Sequence, residues 1–101
     1  MDAQPQNAPA VLRLGQILDL NAASPLASEL LALRGHDIDV DAAAVSRMGA
    51  QCLQVLLSAR ATWRDDGFAF AITGASPEFT AVLDILGAPL DPTFQAWEPS
   101  A

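Results

Sequence analysis

Between Ser24 and Leu86 the hydrophobic period of the chain keeps switching, and that switching limits the folds open to it. In "ASPLASELLALRG", Leu26, Leu30 and Leu33 recur at helical spacing. In "HDIDVDA", Ile38 and Val40 alternate with Asp37, Asp39 and Asp41, so one face is apolar and the other acidic. Helical spacing then returns, with Cys52, Leu56, Ala59 and Trp63 on one stripe widened by Leu53 and Val55. "FAFAIT" alternates again, and Phe79, Val82, Leu83 and Leu86 form a last helical stripe. Strands separated by helices rejoin a sheet as parallel neighbours through right-handed crossovers. The pattern therefore predicts one α/β domain with a mixed, mostly parallel sheet of about four strands and three main helices.

Punctuation residues set the expected boundaries. Ser24 and Pro25 read as cap and first position of the first helix, closed by Arg34 at the negative dipole end and Gly35. The second helix spans about Ala50 to Arg64, because Asp65 and Asp66 oppose the dipole, and Gly67 turns the chain. Gln51, Gln54 and Ser58 lie off its apolar stripe. The third opens on Ser76, Pro77 and Glu78 and ends at Gly87 and Pro89. "FAFAIT" is apolar on both faces and reads as an interior strand. "AVLRLGQILDL" reads as an edge hairpin bent at Gly15. Residues 1–9 read as a disordered polar arm, residues 10–88 as the domain, and residues 89–101 as a tail. Leu90, Phe94 and Trp97 of that tail are expected to fold back, since exposed aromatics cost solubility.

Composition removes several functions. With 101 residues, 51% of them hydrophobic, a core is attainable without metals or disulfides. The net charge is −7 and lysine is absent, leaving Arg13, Arg34, Arg47, Arg60 and Arg64 as the cations. Such a chain repels phosphate backbones and anionic lipid surfaces, so nucleic-acid binding is not expected and a basic protein surface is favoured. No secretory signal and no long apolar run is visible, so a cytoplasmic domain without direct membrane insertion is expected. The acids of "DIDVD" lack the glycine and distal carboxylate of a calcium loop, so no metal is expected.

Catalytic chemistry is equally thin. A nucleophile needs a base, and the single histidine, His36, sits at a turn. The single cysteine, Cys52, falls on the buried stripe of its helix, where thiols act as small hydrophobes. No phosphate-cradling or dinucleotide-binding glycine pattern is present. The expectation is a chain with no catalytic residues and no cofactor. A thiol-based redox enzyme or sensor using Cys52 is the competing class.

Two stretches, "DVDAAAVSRMGAQCLQVLLSA" and "DGFAFAITGASPEFTAVLDILGA", resemble STAS domains, the sulfate-transporter and anti-sigma-factor-antagonist family, over about Ala10 to Ala88. The resemblance implies a STAS-like single domain that binds proteins through the start of the second helix. Phosphorylated members carry Asp-Ser-Ser-Gly or Asp-Thr-Ser-Gly there, and that signature falls on Gly49, Ala50, Gln51 and Cys52. The phosphoserine position is thus Gln51. A phosphate at a helix N-terminus is held by free N–H groups, and its charge can eject a partner. Gln51 has no hydroxyl, so the resemblance implies a docking surface held in its binding-competent form. The residues implied are Ser46, Arg47, Met48, Gly49, Ala50, Gln51 and Gln54, with Ser46 a second candidate phosphosite. Met48 either shows on this surface or plugs the core beneath the helix. "QCLQVLLSA" is most similar to small stand-alone STAS proteins of bacterial chemotaxis clusters, which implies a histidine kinase or response regulator as partner. The STAS subunit of an ABC lipid transporter and an anti-sigma-factor antagonist are the alternatives, and a homodimer is left open.

Overall fold

A computed structural model describes residues 9–95. In chain order the elements are β1 (Ala10–Arg13), β2 (Ile17–Leu18), α1 (Leu20–Ala32), β3 (Ile38–Asp41), β4 (Arg47–Met48), α2 (Ala50–Asp66), β5 (Phe70–Thr73), α3 (Pro77–Ile85) and a short turn, α4 (Leu90–Thr93). The α/β class, the parallel pairing and the three main helices are as expected. β1, β3 and β5 form one sheet in that order, and β2 pairs with β4 in a second.

The hairpin is corrected. All three strand pairings among the described residues are parallel, and β1 and β2 each pair across the α1 crossover rather than with each other. The segments Ala10–Leu18 and Ile38–Met48 run side by side, and their register offset grows from 28 (Ala10 opposite Ile38) to 30 (Ile17 opposite Arg47). The extra residues form the turn after β3, where Asp41 Oδ1 accepts the Ala43 N–H at 2.9 Å. An aspartate closing its own turn in this way breaks one long pairing into two short ones.

The interior strand is also corrected: it is β3, and β5 lies at the edge of its sheet. Ile38 and Val40 of β3 are buried together with Leu12 and Phe70. The opposite face carries Asp39 and Asp41, half-buried, beside exposed Val11, Arg13 and Thr73. A strand with one acidic face can be central because that face of the sheet stays wet, so two apolar faces were not needed.

Two helix boundaries move for electrostatic reasons. α1 begins one turn before Ser24, capped by Asp19, whose Oδ1 accepts the Asn21 N–H at 3.0 Å. Pro25 therefore lies inside the helix and leaves only the Asn21 carbonyl without its helical donor; Asn21 is exposed, so water can replace it. Gly35, with φ +90°, turns the chain after α1 as expected. α2 runs through Asp65 and Asp66 to a left-handed Gly67 with φ +82°. Arg34 holds Asp66 with two hydrogen bonds of 3.0 Å, Nε to Oδ2 and Nη2 to Oδ1, which offsets the unfavourable dipole end. The same carboxylate raises the pKa of Arg34.

α3 opens as its sequence says, with the Ser76 hydroxyl accepting the Phe79 N–H at 3.0 Å. Phe79 and Leu83 are fully buried, while Leu86, beyond the helix end, is largely exposed rather than core. Trp63 and Phe70 meet edge to face at 6.0 Å in the core. Phe94 is buried and does fold back, whereas Trp97 and the arm 1–8 lie outside the described residues. No helix among the described residues is long and apolar enough to cross a membrane.

Candidate functional site

β2 and β4 are parallel and each leads directly into a helix, so α1 and α2 begin side by side. The Gly49 N–H donates to the Leu18 carbonyl at 2.9 Å, and the Cys52 thiol reaches the Asp19 carbonyl at 3.5 Å. These contacts pin the first turn of α2 against the entry to α1.

The expected site residues divide by depth. Ala50, Gln51 and Gln54 are exposed on the first turns of α2, and Ser46 and Arg47 are exposed just before it. Gly49 is half-buried. Met48 is buried at 8% exposure, so of its two readings the core plug is the one observed. The approach to the helix is tied down by hydrogen bonds. The Gln16 carbonyl accepts the Ser46 N–H at 2.8 Å, the Arg47 N–H at 3.2 Å and the Ser46 hydroxyl at 3.1 Å. Behind it the Ser76 hydroxyl donates to the buried Val45 carbonyl at 2.6 Å.

The cap of α2 is Gly49 in extended backbone, with no side-chain hydrogen bond to the helix start. Gln51 therefore stands on a first turn that no side chain caps by a hydrogen bond. Two apolar residues missed from sequence flank this patch: Ile17, directly opposite Arg47, and Leu20 at the first position of α1. Their register opposite β4 depends on the parallel pairing, which the hairpin reading hid.

Cys52 lies beneath this surface with no exposed area. Burial, then the nearby Asp19 charge, push its pKa up, which disfavours the thiolate a nucleophile requires. His36 is at the other end of α2, where its carbonyl accepts the Trp63 indole N–H at 2.7 Å. From Cys52 to Trp63 the helix rises about 16 Å, so the two groups cannot form a dyad.

The site thus joins a parallel sheet, two helices that start together and a pinned loop leading into α2. The family model described as "Mlab, STAS domain" matches residues 1–89, and the chain belongs to that family. STAS domains are generally non-catalytic regulatory modules that interact with other proteins. No curated protein matches the sequence. Among solved structures the chain is similar to a sulfate transporter family protein from Wolinella succinogenes, with a TM-score of 0.72 at 13% identity, covering 91% of this chain and 75% of that one. At that identity the likeness concerns the fold.

Proposed function

We propose that this protein is a non-catalytic binding module in bacterial signalling, which docks a histidine kinase or response regulator of chemotaxis type through the start of α2. The observation that supports the reading is the exposed Gln51 on an uncapped first turn, at the position where phosphorylated relatives carry serine. A partner meets a neutral amide there, able to donate and accept hydrogen bonds, in place of a group that kinases charge and phosphatases clear. Ser46, Arg47, Gly49, Ala50 and Gln54 complete the surface, with Met48 as its buried support. Because Gln16 fixes the approach, little ordering cost falls on binding.

The test is affinity capture from the native lysate with tagged protein, wild type beside Gln51→Arg and Gln54→Arg, read by mass spectrometry. A chemotaxis kinase or regulator recovered with wild type and lost with both variants supports the reading. An ABC ATPase recovered with the same dependence moves the module to lipid transport on the same surface. Undiminished capture by both variants places docking elsewhere.

A further inference from the structure

We propose that the trough between α1 and α2 receives an amphipathic helix of a partner protein, laid with its basic N-terminal end beside Asp65. Both walls are regular. Steps of three and four residues put Leu20, Ser24, Ala27 and Leu31 in one line along α1. The same steps put Gln51, Gln54, Ser58, Thr62 and Asp65 in one line along α2. Leu20 and Leu31 are 66% and 64% exposed. Between the walls lies a cavity of about 310 Å³ with an apolar floor that includes Leu30, Val55 and Trp63. The helices run in one direction: both start at the paired strands β2 and β4, and Arg34, just past α1, holds Asp66 at the end of α2. From Gln51 to Asp65 the trough is about 21 Å long, the length of about 14 helical residues.

Backbone chemistry selects a helix as the occupant. Walls made of two helices have their own N–H and C=O groups bonded within each helix and offer no free row of them. A strand laid there would bury its backbone groups unpaired, whereas a helix arrives with its own already bonded. A helix also matches the one-turn repeat of both walls, and the short side chains of Ala27, Ser58 and Thr62 admit its ridge. One wall is apolar and the other uncharged but hydrogen-bonding. The occupant therefore carries a narrow leucine-like stripe flanked by amides or hydroxyls.

Charge sets its direction. The C-termini of α1 and α2 lie at the Asp65 end, where their dipoles add to that exposed carboxylate, and the neighbouring Arg34 is held by Asp66. A helix antiparallel to both brings its positive end, and lysine or arginine in front of it, to Asp65. A second copy would bring a net charge of −7 and no lysine. At its other end the trough opens onto Gln51 and Gln54, so the helix adds footprint to the proposed docking patch. The inference rests on the docking reading only for which protein carries the helix. A helix of about four turns buries less than a standard interface, so its affinity in isolation should be micromolar or weaker.

The probe is a synthetic alanine-rich peptide of about 14 residues, with leucines at i, i+4, i+7 and i+11, flanking glutamines and a pair of lysines at its N-terminus. It is titrated into the isotope-labelled full chain and followed by amide shifts. The expected result is saturable binding, with shifts concentrated between Ala27 and Leu31 and between Gln54 and Thr62. Leu31→Glu and Ser58→Glu should each weaken it at least tenfold, because each puts a charge where leucines would be buried. Asp65→Lys should weaken it at least fivefold, and Asp84→Lys, the same charge change on the exposed side of α3, should not. Circular dichroism verifies that the variants fold. Equal binding of a peptide with scrambled leucine spacing overturns the proposal, as does indifference to both Leu31→Glu and Ser58→Glu. Lysines that serve equally well at either end of the peptide overturn the assigned direction. Self-association of the unliganded chain through the same residues, seen by sedimentation velocity, gives the trough to a second copy and overturns the helix. If lysate capture ignores Gln51→Arg and Gln54→Arg while the peptide still binds, the docking reading fails and the trough stands. If capture depends on Gln51 while the peptide never engages the trough, the reverse holds.

Discussion

Replacing Ser76 by alanine should destabilise the domain by about 2–3 kcal/mol, a large effect for one oxygen atom. That hydroxyl makes two bonds at a buried site: it accepts the Phe79 N–H at 3.0 Å, capping α3, and donates to the Val45 carbonyl at 2.6 Å. Losing a cap costs about 1 kcal/mol. Val45 is buried, so its carbonyl would be left without water or donor, which adds about 1–2 kcal/mol. The main-chain bond from the Ser76 N–H to the Ala42 carbonyl remains, so the turn itself should survive. With a urea slope of about 1 kcal/mol/M, the midpoint should fall by roughly 2–3 M with the slope unchanged. The melting temperature should drop by roughly 10–20 °C. Ser76→Thr keeps the hydroxyl and should recover most of the loss. Hydrogen exchange adds a local readout, because the Val45 carbonyl lies one residue before the proposed docking surface and the amides of Ser46 to Met48 should lose protection first. A destabilisation under about 0.5 kcal/mol, within the range of an ordinary surface substitution, would refute the account of Ser76 as the tie between the loop and α3.

Two further outcomes follow from the buried groups. The Cys52 pKa is raised in the folded protein, so the unfolded chain releases this proton at lower pH. The stability it reflects is fully present below the unfolded thiol pKa of about 8.5 and declines as pH rises through it. Urea titrations at rising alkaline pH should show this decline in wild type and a smaller one in Cys52→Ala, and alkylation of the native thiol should be slow until denaturant is added. Trp63→Phe preserves the aromatic body but removes the indole donor to the His36 carbonyl, at 2.7 Å, and should cost about 1–2 kcal/mol by chemical denaturation.

What the sequence disclosed depended on whether the controlling interaction was local. The cap at Ser76, the buried stripe through Cys52, Leu56, Ala59 and Trp63, and the Gly35 and Gly67 turns all act within a turn or two of chain, and all are found where the pattern puts them. The extension of α2 through Asp66 was hidden because its counter-charge, Arg34, lies 32 residues away. The hairpin failed in the same way. Ile17 and Leu18 take β4 as partner, and nothing around Gly15 reveals that choice. In the candidate site, the exposure of Gln51 and Gln54 followed from their place off the apolar stripe. The depth of Met48 did not, because it depends on the β2–β4 pairing that points its side chain inward.

Gly49 allows stability and the proposed docking to be tested apart. As a cap it supplies no side-chain acceptor to α2, although its φ of −99° and ψ of 172° suit any residue. A Cβ there would sit 3.8 Å from the Leu18 carbonyl oxygen and 3.9 Å from Gln51 Oε1, ordinary contact distances, so there is room for a side chain. Gly49→Ser and Gly49→Asp should therefore both stabilise, by about 1 kcal/mol, through the cap and the narrower unfolded ensemble. Their effects on docking should differ. Serine is neutral and its hydroxyl turns back to the helix amides, so partner capture should change little. Aspartate places a charge beside Gln51, among groups that a partner at the proposed surface must desolvate. For a partner drawn by Gln51 as a neutral contact, Gly49→Asp should melt higher and bind at least tenfold more weakly. If the aspartate variant gains stability and binds as well as the serine variant, charge at the start of α2 is not what partners read, and the proposed role of a neutral Gln51 in docking falls.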